Sequence, residues 1–229
     1  MPRKRYAAAL TALALLSFAS YSCQRIFTTS LAPFLARDGY TIPSNLSVAD
    51  AAYLLSQSQG DPALAAALVT PLYNAASAAT PGTAAYNEAA MLLAQAVTES
   101  SGIGPAITTL AVFSMITSPT AQEIADATNA ILAVSLNALE ISALALIEAN
   151  PPSDYTPAMA YTAAAALVAQ ALSTVGVTDI NGLTGPQEIA LAGNLDYLLA
   201  IDFITLAGSL GGDGGLGDQL GQFLDDLTP

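Results

Sequence analysis

The residues that most often carry catalysis are nearly missing from this chain of 229 residues. It has no His and a single Cys, Cys23, and its one Lys, Lys4, lies close to the N-terminus. General acid–base and nucleophilic catalysis near neutral pH mostly use His, Cys, Lys or a carboxylate whose pKa is shifted. After Cys23, the side chains that could take part in catalysis are carboxylates, Tyr and Ser. We predict that the protein is not an enzyme.

A carboxylate pair of the kind that hydrolyses glycosides would have to come from Asp196 and Asp202, which lie in an otherwise apolar segment. At about 100° per residue, the two side chains point roughly 240° apart around a helix. We therefore interpret them as separate acids that reach solvent on either side of a buried stripe. A carboxylate hydrolase is the least favoured hypothesis, and no catalytic residue is predicted.

Metal chemistry has few ligands to use, because no His is present and Cys23 is the only thiol. The segment Gly211–Asp218 looks like one calcium-binding nonapeptide repeat, but Leu216 stands where that repeat needs Asp. We interpret residues 211–229 as a Gly-rich joint and a short amphipathic helix. The apolar residues of that helix are Leu216, Leu220, Phe223, Leu224 and Leu227. No metal site and no cofactor are predicted.

Positive charge is confined to the N-terminal part of the chain. The basic residues are Arg3, Lys4, Arg5, Arg25 and Arg37. From Cys23 onward, two Arg stand against all 18 Asp and Glu residues. Such a surface repels phosphate backbones, so nucleic-acid binding is excluded. The same surface favours binding to basic peptides or to cationic faces of proteins, and this association should weaken as the salt concentration rises.

The N-terminus has the pattern of an export signal. Residues 2–5 are a basic stretch that contains three cations, and residues 7–19 are an apolar run. The run is shorter than the roughly 20 residues that a membrane-spanning helix needs, and polar residues follow it at once. We predict a signal-peptide helix over residues 1–22, which is removed from the mature protein.

The end of this run resembles a bacterial lipobox. Ser20-Tyr21-Ser22-Cys23 places a small residue directly before the Cys, although Ser20 stands where Leu is usual. The resemblance implies that Cys23 is lipidated and tethers the protein to a membrane. Gln24 follows, where lipoproteins retained in the inner membrane tend to have Asp, so the outer membrane facing the periplasm is favoured. The alternative is an incidental thiol at an ordinary cleavage site or an uncleaved anchor.

Composition and helix-start signals predict an all-α fold. Ala and Leu favour helix, and strand-like alternation is hard to find. Pro follows a capping residue at Asp61-Pro62, Ser118-Pro119 and Thr156-Pro157. The predicted helices span 47–58, 62–79, 83–100, 104–117, 119–149, 157–175, 186–209 and 217–227, and Pro71 should kink or divide the second. We place a lipidated spacer at 23–45 and a helical domain at 46–210.

Two long segments carry a prediction about burial. On a single helix over 119–149, one polar arc would hold Asp126, Asn129, Asn137, Glu140 and Glu148. The opposite side would hold Ile124, Ile131, Leu132, Leu139 and Leu146. The segment 186–209 is apolar almost all round and is predicted to be a core helix.

One stretch resembles the second helix of a tetratricopeptide repeat (TPR). Residues 86–99, YNEAAMLLAQAVTE, place Ala89, Leu93 and Ala96 at the small, large and small positions of that repeat. The match covers about 30 residues, and a period of 34 residues is not sustained. It departs from the pattern at Ala76, Ser77, Thr80 and Ser101. The resemblance implies antiparallel helical hairpins in a TPR-like array or bundle, and a plain Ala-rich hairpin is the alternative.

These features together predict a lipid-anchored scaffold or binding protein of the bacterial cell envelope. Its partners would be envelope proteins with basic surfaces, and TPR-type lipoproteins can accompany solute transporters as periplasmic subunits. The alternative is a carrier that holds a lipid or other hydrophobic ligand between its helices. Candidate groove residues are Tyr53, Tyr73, Tyr86, Tyr161 and Tyr197; each could equally be a core tyrosine with one wet end.

Overall fold

Helices account for all regular structure in the part of the chain that this computed structural model describes, residues 42–58, 60–113, 120–178 and 183–211. The all-α prediction is confirmed for these residues. The helices are α1 (Val48–Ser58), α2 (Pro62–Ala78), α3 (Ala84–Ser100), α4 (Ile103–Phe113), α5 (Ala121–Leu132), α6 (Ala138–Ala149), α7 (Pro157–Thr174), α8 (Gly185–Ala192) and α9 (Leu195–Ser209).

Two of the predicted helix starts are confirmed by their capping bonds. The Asp61 carboxylate accepts from the backbone N–H groups of Ala63 and Leu64, at 2.9 and 3.4 Å, and α2 begins at Pro62. The Thr156 hydroxyl accepts from Met159 N at the start of α7. An N-cap oxygen satisfies an amide that has no partner within the helix, and Pro has no amide to satisfy. Pro71 does not divide α2, contrary to one of the two expectations for it.

The predicted helix 119–149 is wrong, because the chain breaks between α5 and α6. Asn137 caps α6 by accepting from Leu139 N and Glu140 N, and Glu140 accepts in return from Asn137 N at 2.7 Å. This reciprocal arrangement is a capping box. The linker amide of Leu136 donates to the Gln170 side chain at 2.9 Å, so the break is also tied to α7.

The break changes the position of Glu140 from the one predicted. On a continuous helix this residue would lie on the solvent arc with Asp126, but its side chain is only 3% exposed. Its second oxygen accepts from the Ser100 hydroxyl at 2.6 Å, at the end of α3. Because Glu140 serves both a helix start and a helix end, it joins α6 to α3.

The predicted helix 186–209 is also two helices. Asn194 accepts from Asp196 N and Tyr197 N and starts α9 after Gly193 ends α8. Within the described residues no single helix has the length and hydropathy needed to cross a bilayer. The α8–α9 pair meets that test only when both helices are taken together, across a bend of 64°.

The helices pack in hairpins around a core of Leu, Ala and aromatic side chains. α2 and α3 pack closely and are joined by a short loop, so they run antiparallel. α7 packs mainly on α9, while α6 contacts α2, α3 and α9. Fully buried side chains include Leu68, Leu72, Tyr86, Leu93, Ile103, Ile147, Leu167, Leu172, Leu191, Tyr197 and Phe203.

Several predictions fall outside the described residues. These are the signal-peptide helix, Cys23, the spacer up to residue 41, the end of the helix predicted at 104–117 and the helix predicted at 217–227.

The Glu140 network gives a test of the fold. Glu140→Ala leaves the Asn137 backbone amide without its acceptor and leaves the Ser100 hydroxyl only the Val97 carbonyl, which ends the link between α6 and α3. We therefore expect the free energy of unfolding to fall by about 2 kcal/mol in urea titrations followed by circular dichroism. Glu123→Ala is the matched control, because Glu123 closes the exposed capping box of α5 with Thr120. It should give a smaller loss, since water can replace its bonds. Equal losses in the two variants would contradict the role assigned to Glu140.

Candidate functional site

An open groove lies between α3 and the start of α7. The α3 residues that line it recur every three or four positions, which puts them on one face of the helix. Its volume is about 440 Å³. The lining residues are Met91, Leu92, Gln95, Thr98, Glu99, Ala158, Met159 and Thr162. We call this feature the α3–α7 groove.

The α3–α7 groove combines an adaptable apolar wall with one carboxyl group. Met91, Leu92 and Met159 supply the wall, and methionine side chains adjust readily to ligands of different shape. Glu99 accepts from the Gln95 amide at 2.8 Å and lies 3.0 Å from the Ser58 hydroxyl. These partners are neutral, so the groove can present a negative charge beside apolar surface. The groove therefore offers a place where a ligand could bind.

The five tyrosines singled out from the sequence are not among the residues lining this groove. Tyr86, Tyr161 and Tyr197 are buried, Tyr73 is half-buried and Tyr53 is exposed. Their role in ligand binding stays a prediction, while burial of three of them fits core tyrosines.

Tyr86 links two helices through its polar end. Its hydroxyl donates to Asn150 O at 2.6 Å and lies 3.3 Å from Leu146 O, at the end of α6. Burial raises the pKa of this phenol, which keeps it in its donating form. The arrangement satisfies the Asn150 carbonyl just beyond the end of α6, while Leu146 O also accepts from the Asn150 backbone amide.

Tyr155 is a buried aromatic that the sequence analysis did not single out. Its ring centroid lies 6.4 Å from that of Phe203 in α9, with the two planes at 47°. Burial raises its pKa well above the ordinary range for tyrosine. Its position just before the Thr156-Pro157 helix start is the local signal that could have indicated it, because an apolar residue before an N-cap often packs onto the helix that follows.

The structure brings Asp202 into electrostatic contact with a different acid from the one considered in the sequence. Asp202 is exposed on α9, and Asp196 is half-buried on the same helix with a pKa raised by burial. Glu148 comes from α6, which packs against α9. The pKa of Glu148 is raised first by desolvation and then by repulsion from Asp202. Sequence spacing could not find this pair, because its members lie on different helices.

None of these three acids belongs to a cluster that could bind a metal ion. In residues 42–58, 60–113, 120–178 and 183–211, no group of three or more His, Cys, Asp or Glu side chains could hold a metal ion. Asp202 is open to water, whereas a carboxylate pair that hydrolyses a glycoside works in a cleft that shields the reaction.

Comparison with known proteins gives no match: no family model, no curated protein and no solved structure corresponds to this chain.

The two glutamates with displaced pKa values should affect stability in opposite directions. The raised pKa of Glu148 means that the folded state binds its proton more tightly than the unfolded state does, so stability falls as pH rises through the folded pKa. Bonds from Thr120 lower the pKa of Glu123, whose contribution to stability is lost as pH falls through the folded pKa. At neutral pH, Glu148→Gln should therefore raise the urea midpoint and Glu123→Gln should lower it.

The Glu148 difference should shrink when the titration is repeated below the ordinary pKa of glutamate, where that side chain is protonated in both the folded and the unfolded state. The Glu123 difference should shrink only at still lower pH, below the lowered pKa of Glu123 in the folded state. A decrease of the midpoint in both variants at neutral pH would show that Glu148 is not electrostatically unfavourable in the fold.

Proposed function

We propose that this protein is a lipid-anchored, non-catalytic scaffold of the bacterial cell envelope that binds proteins with basic surfaces. The observation that carries the proposal is a complete lack of cationic side chains in the helical domain. Between Ile42 and Gly211 the sequence contains no Lys, Arg or His. Carboxyl groups stand exposed on α1, α3, α5 and α9 and in the loop before α7: Asp50, Glu88, Asp126, Asp202 and Asp154.

A surface with one sign of charge attracts partners of the other sign and repels its own. Complementary charge speeds association and selects against acidic partners, and it does so over the Debye length of the solution. The same field disfavours nucleic acids and anionic lipid headgroups. Basic envelope proteins are the partners that fit this surface best.

The anchor in this proposal is Cys23, exposed after a signal peptide of residues 1–22 is removed. Residues 24–45 would then hold the helical domain away from the bilayer. Lipid attachment at one residue provides stable tethering when more than one acyl chain is present, at about 0.8 kcal/mol per buried CH₂ group. Outer-membrane residence with the domain facing the periplasm is part of the proposal and comes from the lipobox resemblance.

A TPR-like arrangement of the hairpins is the architecture we favour for such a scaffold. Support comes from the α2–α3 hairpin, in which Ala89, Leu93 and Ala96 are all completely buried. Small residues at these positions let two helices approach closely, as in helical repeat proteins. The resemblance also suggests a subunit that accompanies a solute transporter.

A carrier of hydrophobic ligands is the second candidate, and the α3–α7 groove favours it. Its volume of about 440 Å³ falls within the range of small-molecule sites, and Met91, Leu92 and Met159 provide apolar contacts. The groove is open along the surface, however, and a carrier needs to enclose most of its ligand. The scaffold is therefore the better supported of the two functions.

The anchor is tested by metabolic labelling of a bacterial host with palmitate. The wild-type chain should incorporate label, and Cys23→Ala should incorporate none, because the acylated thiol is removed. Ser22→Ala is the matched control, since it keeps a small residue before the Cys and should label normally. Label that persists in Cys23→Ala, or that never appears in the wild type, would refute the lipoprotein proposal.

Binding to basic partners is tested by affinity capture from envelope extract at two salt concentrations. We expect basic proteins to be retained at 0.1 M salt and lost at 1 M, where the Debye length falls from about 10 Å to about 3 Å. The triple variant Asp50→Asn, Asp126→Asn and Asp154→Asn should retain less of them, and Asn74→Ser, which changes an exposed neutral residue, should retain them as the wild type does. If no protein is captured at either concentration and mass spectrometry finds a stoichiometric lipid, the carrier is the correct function.

A further inference from the structure

Helices α8 and α9 expose a row of large aliphatic side chains. We call this row the outer face of α8–α9. Its exposed fractions are Ile189 77%, Leu195 79%, Leu198 43% and Ile201 39%. The three α9 members are spaced three residues apart, so they cover an arc of about 120° over the first two turns of the helix, on the side away from its buried residues.

The other side of α9 already supplies its contact with the core. Tyr197, Ala200, Phe203 and Ala207 are buried there, where α9 packs against α7 and α6. An amphipathic helix normally has one apolar stripe and turns polar residues toward water. α9 has two apolar sides, and only one of them packs against the core. Exposed aliphatic surface of this kind marks interaction sites.

One exposed acid, Asp202, lies within the outer face. At about 100° per residue it falls between Leu195 and Leu198 around α9, whereas Asp196 falls on the buried side beside Phe203. Glu148 of α6 is close enough to Asp202 for their charges to repel, which contributes to its raised pKa. No cation in residues 42–211 can neutralise any of them. A positive charge brought to the end of the face beside Ile201 would relieve the repulsion between Glu148 and Asp202.

Charge complementarity decides among the occupants that could cover aliphatic surface. A second copy of the chain would bring the same acids to the face and would place like charges together. Residues 212–229 carry Asp213, Asp218, Asp225 and Asp226 and no Lys or Arg, so they add negative charge as well. Anionic lipid headgroups are repelled for the same reason. Residues 24–41 carry Arg25 and Arg37, but the proposed function places them in the spacer between the lipid and the domain. The occupant that satisfies both features is therefore a segment of another protein, aliphatic on one side and cationic beside it.

We propose that the outer face of α8–α9 is the docking surface for a basic amphipathic helix of a partner protein. The aliphatic stripe of that helix packs on Leu195, Leu198 and Ile201, and a Lys or Arg next to the stripe pairs with Asp202 and Glu148. In its sequence, such a helix would have apolar residues at positions i, i+3 or i+4 and i+7, with Lys or Arg next to them. This inference rests on the proposed preference for basic partners and names the surface that meets them.

The test uses the full-length protein and two fluorescent 18-residue peptides that form amphipathic helices. One is built from Leu and Lys, and the other has Glu at every Lys position. Fluorescence anisotropy should show tight, salt-sensitive binding of the Leu/Lys peptide and at least tenfold weaker binding of the Leu/Glu peptide. The double variant Leu195→Ser and Leu198→Ser should weaken Leu/Lys binding about tenfold, and Asp202→Asn should weaken it severalfold and reduce its salt dependence.

Two matched variants control for changes elsewhere on the surface. Tyr53→Ser removes an exposed aromatic residue from α1 and should bind the Leu/Lys peptide as the wild type does. Asp126→Asn removes an exposed acid from α5, and it should weaken binding less than Asp202→Asn does, because Asp126 contributes only to the overall charge. Tyr53→Ser matches the Leu195→Ser, Leu198→Ser variant in removing exposed apolar surface, and Asp126→Asn matches Asp202→Asn in removing an exposed carboxylate. Equal thermal unfolding of wild type and variants would show that any loss of binding comes from the surface.

The outcomes separate this inference from the proposed function. If the wild type does not bind the Leu/Lys peptide at low salt, the preference for basic partners itself is refuted. If it binds and the Leu195→Ser, Leu198→Ser variant binds equally well, the preference stands and this docking surface is wrong. The surface assignment is also overturned if Leu198→Ser dissolves a dimer seen by sedimentation, if truncation after Gly211 raises peptide affinity tenfold, or if the face binds phosphatidylcholine vesicles in preference to the peptide.

Discussion

The lack of any cationic side chain between residues 42 and 211 is the constraint to which the rest of the structure conforms. A buried or half-buried carboxyl group without an ion-pair partner must obtain hydrogen bonds from neutral donors, or it weakens the fold. Glu140 obtains them from the Asn137 amide and the Ser100 hydroxyl, and Glu99 from the Gln95 amide. Helix starts provide such donors, because the first amides of a helix have no partner within it. Several carboxyl groups are accordingly placed at helix starts.

The same constraint shapes the surface. Carboxyl groups that find no neutral donor are left to water, and nothing in the helical domain offsets their charge. The Glu148–Asp202 pair shows the consequence, since two helices bring like charges together with no cation between them. In a protein with an ordinary mixture of charges, a Lys or Arg would be expected near such a pair. Here a cation can only come from outside the domain, and this links the internal electrostatics of the fold to the kind of partner that fits its surface.

Local signals in the sequence were sufficient for helix type and for several helix starts, and insufficient for helix breaks. The Asp61-Pro62 and Thr156-Pro157 starts were predicted because capping depends on residues within one turn. The breaks before Asn137 and Asn194 were missed because apolar residues continue at helical spacing through both. Each break does carry a local signal in its Asn, and Asn137 also has Glu140 three residues later, as a capping box requires. The Asn137–Glu140 capping-box spacing predicts a helix start at this point, whereas the apolar periodicity predicts a continuous helix with Glu140 facing solvent. The capping signal is the correct one.

Positions that depend on packing between helices were beyond the reach of the sequence. The α3–α7 groove joins residues more than fifty positions apart, and only the packing of the two helices brings Met91 near Met159. The burial of α9 illustrates the same limit. An apolar composition on all sides predicted a core helix, yet burial also needs neighbours on all sides, and α9 has them only where it meets α6, α7 and α8. The composition of α9 suits full burial, but its neighbours cover only one side. Aliphatic side chains on the other side therefore remain exposed and available for binding. Because Asp202 lies within that surface and no cation of the domain offsets its charge, the missing neighbour should be aliphatic and basic.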